Sequence, residues 1–255
     1  MIDPIFFKLG PLEIRYYGLL YAFAFLIGYF ILIKLSKIFK IQEEVIDDFM
    51  PYVILADILG ARLFEVLFYN PAYYFSNPLK IFAVWEGGLA SHGAIIAIIL
   101  TTYYFCKKRK ISFYTFTDMI AIPVALGAAF IRIGNFINAE LVGKITNLPW
   151  AVNFTGYEGL RHPVQLYQSF GHIVIFFILL SMLKIKERKE GLIFWSLLFL
   201  DSLFRLVTEF FKDLPKDYGF FFLSLNLAQW ASIIIIIISI KPIYIRIKKE
   251  IILFI

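Results

Sequence analysis

The chain has 255 residues, of which 60% are hydrophobic and 19% aromatic, and its mean hydropathy is +0.78. That apolar share excludes an ordinary soluble domain and indicates an integral membrane protein. The net charge of +6 comes mostly from short clusters such as KKRK at 107–110 and KIKERK at 184–189; lying between apolar runs, these read as cytosolic anchors rather than nucleic-acid sites.

The N-terminal stretch MIDPIFFKLGPLEIRYY has neither a basic n-region nor a small-residue cleavage site, so no signal peptide is expected and the first hydrophobic helix directs insertion itself. A bilayer requires about 20 apolar residues per helix. Runs of that kind follow in order at 16–35, 50–69, 88–106, 117–138, 164–183, 191–211 and 222–241. The second is the most polar, with Asp57, Arg62 and Glu65. The single cysteine, Cys106, closes the third; it excludes an internal disulfide and a paired-cysteine metal or redox site, and reads as a small buried apolar residue. The seventh contains IIIIIISI at 233–240, which reads as lipid-facing. Lipid leaves only helices for such lengths, because backbone groups must be satisfied within each segment. The expected fold is therefore all-α: seven transmembrane helices in a single polytopic domain over 1–255, with a small extracytoplasmic loop region at 139–161. Alternate loops carry seven Lys and Arg on the N-terminal side, Lys216 among them, against fifteen on the other. The positive-inside rule then puts the N-terminus outside and the C-terminus in the cytosol.

This orientation gathers the costly polar residues near the outer leaflet. Tyr17 opens the first span, His92 lies near the start of the third, and Arg132, Asn135 and Asn138 end the fourth. His162 and Gln165 precede or open the fifth, while Asp201, Arg205 and Glu209 stack at i, i+4 spacing in the sixth. One reading is structural, with these groups pairing to hold the bundle together. Intramembrane ionisable residues default to function, however, and two guanidiniums at headgroup level suit an anionic ligand, a phospholipid headgroup first of all. His92 is of the residue type suited to proton exchange, and Gly87, Gly88 and Gly93 are expected to let the backbone around it bend close to a ligand. His162, before Pro163, is expected to cap or orient the fifth helix, and His172 to be neutral and structural. The three histidines lack metal-ligand spacing, so no metal and no cofactor is expected.

RIGNFINAELVG at 132–143 resembles the signature of bacterial prolipoprotein diacylglyceryl transferases, Gly-Arg-x-x-Asn-Phe-x-Asn-x-Glu-x-x-Gly, with Ile131 in place of the leading glycine. RYYGLLY at 15–21, GARLFEVLFYN at 60–70, WEGGLASHGA at 85–94, RHPVQLYQ at 161–168 and FRLVTEFFKD at 204–213 are similar to its other blocks, in order, over nearly the whole chain. GARLFEVLFYN also loosely resembles CDP-alcohol phosphotransferases, but the downstream aspartate pair that family needs for metal ions does not follow.

The resemblance implies a multi-pass protein of the bacterial cytoplasmic membrane, with its site toward the outer face. It implies transfer of the diacylglyceryl group of phosphatidylglycerol to the lipobox cysteine of a prolipoprotein signal peptide, giving a thioether and glycerol phosphate. Membrane lipids and signal peptides are then the partners, and the shapes of the two substrates call for lateral openings between spans. Carried over residue by residue, Arg132, Asn135 and Arg205 bind headgroup and phosphate, with Glu140 and Gly143 supporting them and Glu140 holding an arginine rather than moving a proton. Asn138, Arg62, His162 and Glu209 complete the candidate substrate-binding set. His92 matches a histidine proposed as general base and Tyr17 a tyrosine linked to activity.

Some positions depart from the pattern. Asp201 stands where tyrosine is frequent, Lys212 where a second arginine is usual, Glu65 where tyrosine is frequent, and Ser91 and Ala94 flank His92 in place of Ile or Phe and Gly. Asp201, one turn from Arg205, is placed to neutralise charge that would bind phosphate. Two rivals remain: an anion transporter, which would need access from both faces and is often built from repeats that this sequence lacks, and a non-catalytic lipid-binding descendant of the same family.

Overall fold

The computed structural model describes residues 3–10, 12–214 and 225–251. The long helices are α1 (Tyr16–Phe39), α2 (Glu43–Phe64), α4 (Ser91–Arg109), α5 (Phe113–Ile137), α6 (Val164–Ser181), α7 (Leu192–Glu209) and α8 (Leu227–Ile251), with the short α3 (Pro71–Ser76) after α2. Four stretches, Tyr16–Phe39, Phe113–Ile137, Val164–Lys184 and Leu227–Ile247, are long and apolar enough to cross a membrane, and the chain is a mostly helical membrane protein. Two small antiparallel sheets depart from the all-helical expectation: β1 (Ile5–Leu9) with β2 (Leu12–Arg15), and β3 (Val152–Asn153) with β4 (Leu160–Arg161). Cα packing divides the chain into two compact units, Met1–Leu32 with Asp118–Ile255, and Ile33–Thr117.

Several helix ends differ from the apolar runs, for local reasons. α2 begins at Glu43 rather than at 50, because Glu43 and Glu44 are favourable in a first turn where orphan N–H groups carry positive charge. It passes at Glu65 into a π-helical turn that runs to Tyr69. α1 and α4 both stop at a left-handed lysine, Lys40 and Lys110 at φ +55°, and the next amide reaches back five residues, Ile41 N to Ser36 O at 2.9 Å and Ile111 N to Cys106 O at 3.0 Å. That is a Schellman-type stop built without glycine. α8 starts at Leu227; residues 222–224 of the expected seventh run, and Lys216, lie outside the described residues. At its other end α8 continues past 241, where the apolar run ends, through Arg246 to Ile251.

In the larger unit, α6 and α7 run antiparallel, as do α7 and α8. Gln168 Nε2 donates to Thr208 Oγ1 at 3.1 Å across the first pair, and a Cβ on Gly171 would strike the Phe204 ring, so that glycine sets how closely the helices approach. At the opposite end Arg246 Nε donates to Glu190 O at 2.6 Å and Lys189 Nζ to Ile245 O at 2.8 Å. Asp118 of α5 caps α7 from outside: its carboxylate accepts Gly191 N at 2.8 Å and Phe194 N at 2.7 Å, satisfying amides that the first turn leaves unpaired. On α8, Ile234, Ile237 and Ile238 stay exposed while Ser232 and Ser239 turn inward, leaving an apolar face of the kind a bilayer covers.

In the smaller unit, α2 and α4 pack antiparallel at a contact made of small residues. A Cβ on Gly60 would collide with Ala97 and the Gly93 carbonyl, and one on Gly93 with the Gly60 carbonyl and Phe64, a close backbone approach of the type membrane helices use. Below it Phe49, Phe105 and Phe116 form an aromatic cluster, with Phe49 4.9 Å from Phe116 and 5.1 Å from Phe105, and an Arg109–Asp48 ion pair closes that end.

Candidate active site

The arginine-bearing end of α5 organises the larger unit's polar cluster. α5 ends with Ala139 in the left-handed region at φ +54° and Glu140 N bonded to Asn135 O at 2.9 Å. This stop folds Glu140 back over the last helical turn, which explains the spacing Asn-x-x-Asn-x-Glu. Glu140 Oε2 accepts Asn135 Nδ2 at 2.7 Å and Oε1 accepts Asn138 Nδ2 at 3.1 Å. With its amino group committed to a carboxylate, Asn135 must present its carbonyl to the other side, where Oδ1 accepts Arg132 Nη1 at 3.2 Å. Glu140 thus reaches Arg132 through Asn135. Gln165 of α6 ties the turn down by donating to Glu140 O at 2.6 Å.

Gly134, a position the sequence reading passed over, lies between Arg132 and Asn135. A Cβ there would come within 2.7 Å of Tyr17 Cδ2 and 3.4 Å of Tyr17 Cα, so its absence lets α1 lie against α5 at Tyr17. The only available signal was a glycine inside an otherwise good helix. Arg132 has Arg205, Asp201, Tyr17 and Glu209 within electrostatic reach. Among the described residues no hydrogen bond or ion pair engages the Arg205 guanidinium, and Asn135 alone engages that of Arg132. Two guanidiniums with donors to spare are thus held close enough to repel.

Their acidic neighbours are committed elsewhere. Glu209 Oε2 accepts Lys212 Nζ at 2.8 Å and Oε1 accepts Asn226 Nδ2 at 3.5 Å. Burial holds the Lys212 ammonium below its ordinary pKa, against the opposing pull of Glu209. Asn226 and Gln229 in turn bond each other's backbone amides at 2.9 Å, a reciprocal cap at the start of α8. Asp201, expected to compensate Arg205, has its Oδ1 3.0 Å from Nε2 of His172 instead. His172, expected to be neutral and structural, thus has a carboxylate partner on the neighbouring helix.

Gly143 sits where two loop segments cross. It forms an antiparallel bridge with Lys212, and Lys144 N donates to Phe211 O at 2.8 Å and Asp213 N to Val142 O at 3.0 Å. A Cβ on Gly143 would enter the space of His162 and Val164, so this glycine serves close backbone packing. Arg161 locks the crossing, donating to Gly143 O at 3.1 Å and Asp213 Oδ2 at 2.5 Å. His162 does not cap α6, whose N-cap is Pro163 with no side-chain bond. Its Nδ1 meets Tyr167 Oη at 3.2 Å, and that hydroxyl accepts Trp150 Nε1 at 2.7 Å.

The remaining candidates belong to the smaller unit. His92, exposed at the start of α4, has Nδ1 3.0 Å from Tyr69 Oη. Arg62 differs from its expected role as a substrate fork. The buried guanidinium donates to the carbonyls of Ile81 at 2.9 Å, Gly87 at 2.5 Å, Gly88 at 3.0 Å and Ala83 at 3.1 Å, and also to that of Lys80, and it lies 4.8 Å from the centre of the Tyr74 ring. All five N–H groups are engaged, so Arg62 pins the 80–88 loop and has no donor left for phosphate. Gly87 and Gly88, at φ +90° and +69°, turn their carbonyls toward it; their conformational freedom serves Arg62 rather than a ligand. Glu65 Oε1 accepts Asn70 Nδ2 at 2.6 Å.

The family model for prolipoprotein diacylglyceryl transferase matches residues 4–245. The chain belongs to the prolipoprotein diacylglyceryl transferase family. Three relatives, each named a phosphatidylglycerol–prolipoprotein diacylglyceryl transferase, are similar over most of their length. The Rickettsia bellii protein is 39% identical, with 98% of this chain and 96% of the relative covered. The Rickettsia typhi protein is 41% identical over 89% and 90%, and that of Geobacter sulfurreducens 39% identical over 86% and 85%.

Proposed function

We propose that this protein transfers the diacylglyceryl group of phosphatidylglycerol to the lipobox cysteine thiol of a prolipoprotein. The S–C bond forms at the glycerol carbon that carries the phosphate ester, the C–O bond to phosphate breaks, and glycerol phosphate departs with the developing negative charge. The observation that carries this reading is the pair of guanidiniums of Arg132 and Arg205, within electrostatic reach of each other and with unused donors, while the neighbouring carboxylates are bonded elsewhere. Fixed cations stabilise the leaving phosphate monoester, as its charge grows toward −2, more than the singly charged phosphodiester it comes from.

In this reading Arg132 and Arg205 bind the phosphate, and Asn135, positioned by Glu140, aims Arg132. Tyr17 lines the site beside Gly134, Asn138 and Gly143 hold the turn and the loop crossing around it, and Glu209 fixes Lys212. The thiol must lose its proton before it attacks. His92, of the smaller unit, is the base we assign to that step from the family resemblance; its Nδ1 lies 3.0 Å from Tyr69 Oη, and with Nδ1–H donating to that hydroxyl Nε2 is the nitrogen that accepts a proton. The protein is read as a single polytopic domain of seven spans in the bacterial inner membrane, N-terminus outside, with the site toward the outer face and the 139–161 segment beside it. Lipid and signal peptide enter from the bilayer.

The test is transfer itself. Purified protein in nanodiscs containing phosphatidylglycerol is mixed with a synthetic lipobox peptide, and mass spectrometry looks for the diacylglyceryl adduct. The adduct should form on the cysteine peptide and be absent when serine replaces that cysteine. A folded preparation that forms no adduct would remove the transferase reading and leave lipid binding or anion transport.

A further inference from the structure

α7 carries Asp201 and Arg205 four residues apart, a spacing at which an isolated helix pairs an acid with a base. Among the described residues that pair is not made. Gly171 lets the Phe204 ring pack against α6, and one residue further along α6 His172 reaches Asp201, with Nε2 3.0 Å from Oδ1. The other ring nitrogen, Nδ1, lies 2.5 Å from Gln168 O. Both His172 and Asp201 sit in the larger unit beside Arg205 and Arg132, whose charges act on Asp201.

The hydrogen-bond partners count the protons. A backbone carbonyl only accepts, so Nδ1 carries a hydrogen. The contact between Nε2 and a carboxylate oxygen then needs one proton between them, on the ring or on the acid. With the proton on the ring the pair is imidazolium and carboxylate; with the proton on the acid it is imidazole and carboxylic acid. Either way its net charge is zero.

We propose that His172 is a positioning residue for the anion site: it holds Asp201 on the α6 side and cancels its charge, so that Arg205 and Arg132 stay available to the lipid phosphate. This rests on the reading of those arginines as the phosphate site. Without His172, Asp201 is an unpartnered carboxylate one turn from Arg205. It would then occupy the guanidinium and compete with phosphate.

The test compares the parent, His172→Ala, Asp201→Asn and the double variant, each full length in nanodiscs of stated phosphatidylglycerol content. Lipid binding is read by native mass spectrometry and, separately, transfer by the peptide assay. His172→Ala should weaken phosphatidylglycerol binding about tenfold, the scale of one charge-assisted hydrogen bond, with the loss in KM for the lipid rather than in kcat. Asp201→Asn alone should bind at least as tightly as the parent. The double variant should return to within about threefold of the parent, which a purely structural histidine would not permit. His172→Gln, whose amide still holds the carboxylate on the α6 side but does not cancel its charge, should bind between the parent and His172→Ala, and guards against a misfolded alanine variant. A double variant as weak as His172→Ala, or a His172→Ala protein that binds like the parent, overturns the proposal. A parent that binds the lipid but transfers nothing would sink the transferase reading and leave the binding order to judge this one. A parent that does not bind overturns both.

Discussion

Replacing Glu140 with glutamine keeps the shape of the side chain and removes one charge, and its effect follows from counting donors. The two carboxylate oxygens accept the amino groups of Asn135 and Asn138 at 2.7 and 3.1 Å. Glutamine offers one oxygen and one amino group, so one asparagine must face a donor with a donor. Where Asn138 loses its acceptor, Asn135 stays in place but the turn is loosened. Where Asn135 loses it, the amide flips and points its NH2 at Arg132, which already donates. Losing one charge-assisted bond of this kind costs about 1–2 kcal/mol here, below the fully buried value because Glu140 is exposed although Asn135 is buried. If it falls on the positioning of Arg132, kcat/KM for phosphatidylglycerol drops roughly 5–30-fold. Steady-state transfer to a lipobox peptide measures this, with thermal unfolding in detergent run alongside. Asn135→Asp, which sets carboxylate against carboxylate, should lose more. Parental kcat/KM in folded Glu140→Gln and Asn135→Asp proteins alike would refute the relay from Glu140 through Asn135 to Arg132.

Other perturbations test the frame around the site. Arg62→Lys should fail to hold the 80–88 loop, because an ammonium cannot reach carbonyls spread around a planar fork; limited proteolysis should cut that loop much faster than in the parent. Gly93→Val should force α2 and α4 apart and destabilise the smaller unit by about 1–3 kcal/mol, seen as a lower unfolding temperature. Asp118→Asn keeps one acceptor for two amides at the start of α7 and should cost about 1 kcal/mol, read in the same unfolding experiment.

The helices were legible because long apolar runs favour helix in lipid: each expected run overlaps one long helix, and among the described residues four of these are long and apolar enough to cross a membrane. Their ends were less so. The acidic start of α2 looks like a loop in a hydropathy scan, yet Glu43 and Glu44 suit a first turn. The short strands at 5–15 carry no strong period and were missed. At the site, residue type and order singled out Arg132, Asn135, Glu140 and Arg205 as candidates, and the bonds from Arg132 to Asn135 and from Asn135 to Glu140 are local, whereas the hold of Gln165 on the turn comes from another helix. Arg62 joined the candidate substrate-binding set because a sequence does not display the five carbonyls that surround it. Asp201 looked like a counter-ion to Arg205 because the spacing favours it along one helix, whereas its partner, His172, comes from a different helix. Gly134 was silent because its function is to have no side chain where Tyr17 packs.

The most direct test of the central claim follows both products of one turnover. Phosphatidylglycerol labelled in its headgroup is incubated with lipobox peptide and the parent, Arg132→Ala or Arg205→Ala protein, and labelled glycerol phosphate and peptide adduct are quantified together. The account predicts equal amounts of both from the parent, and loss of both, by at least about a hundredfold, when either guanidinium is removed. Parent-level release and transfer from a folded Arg132→Ala, Arg205→Ala double variant would show that the phosphate is held somewhere else.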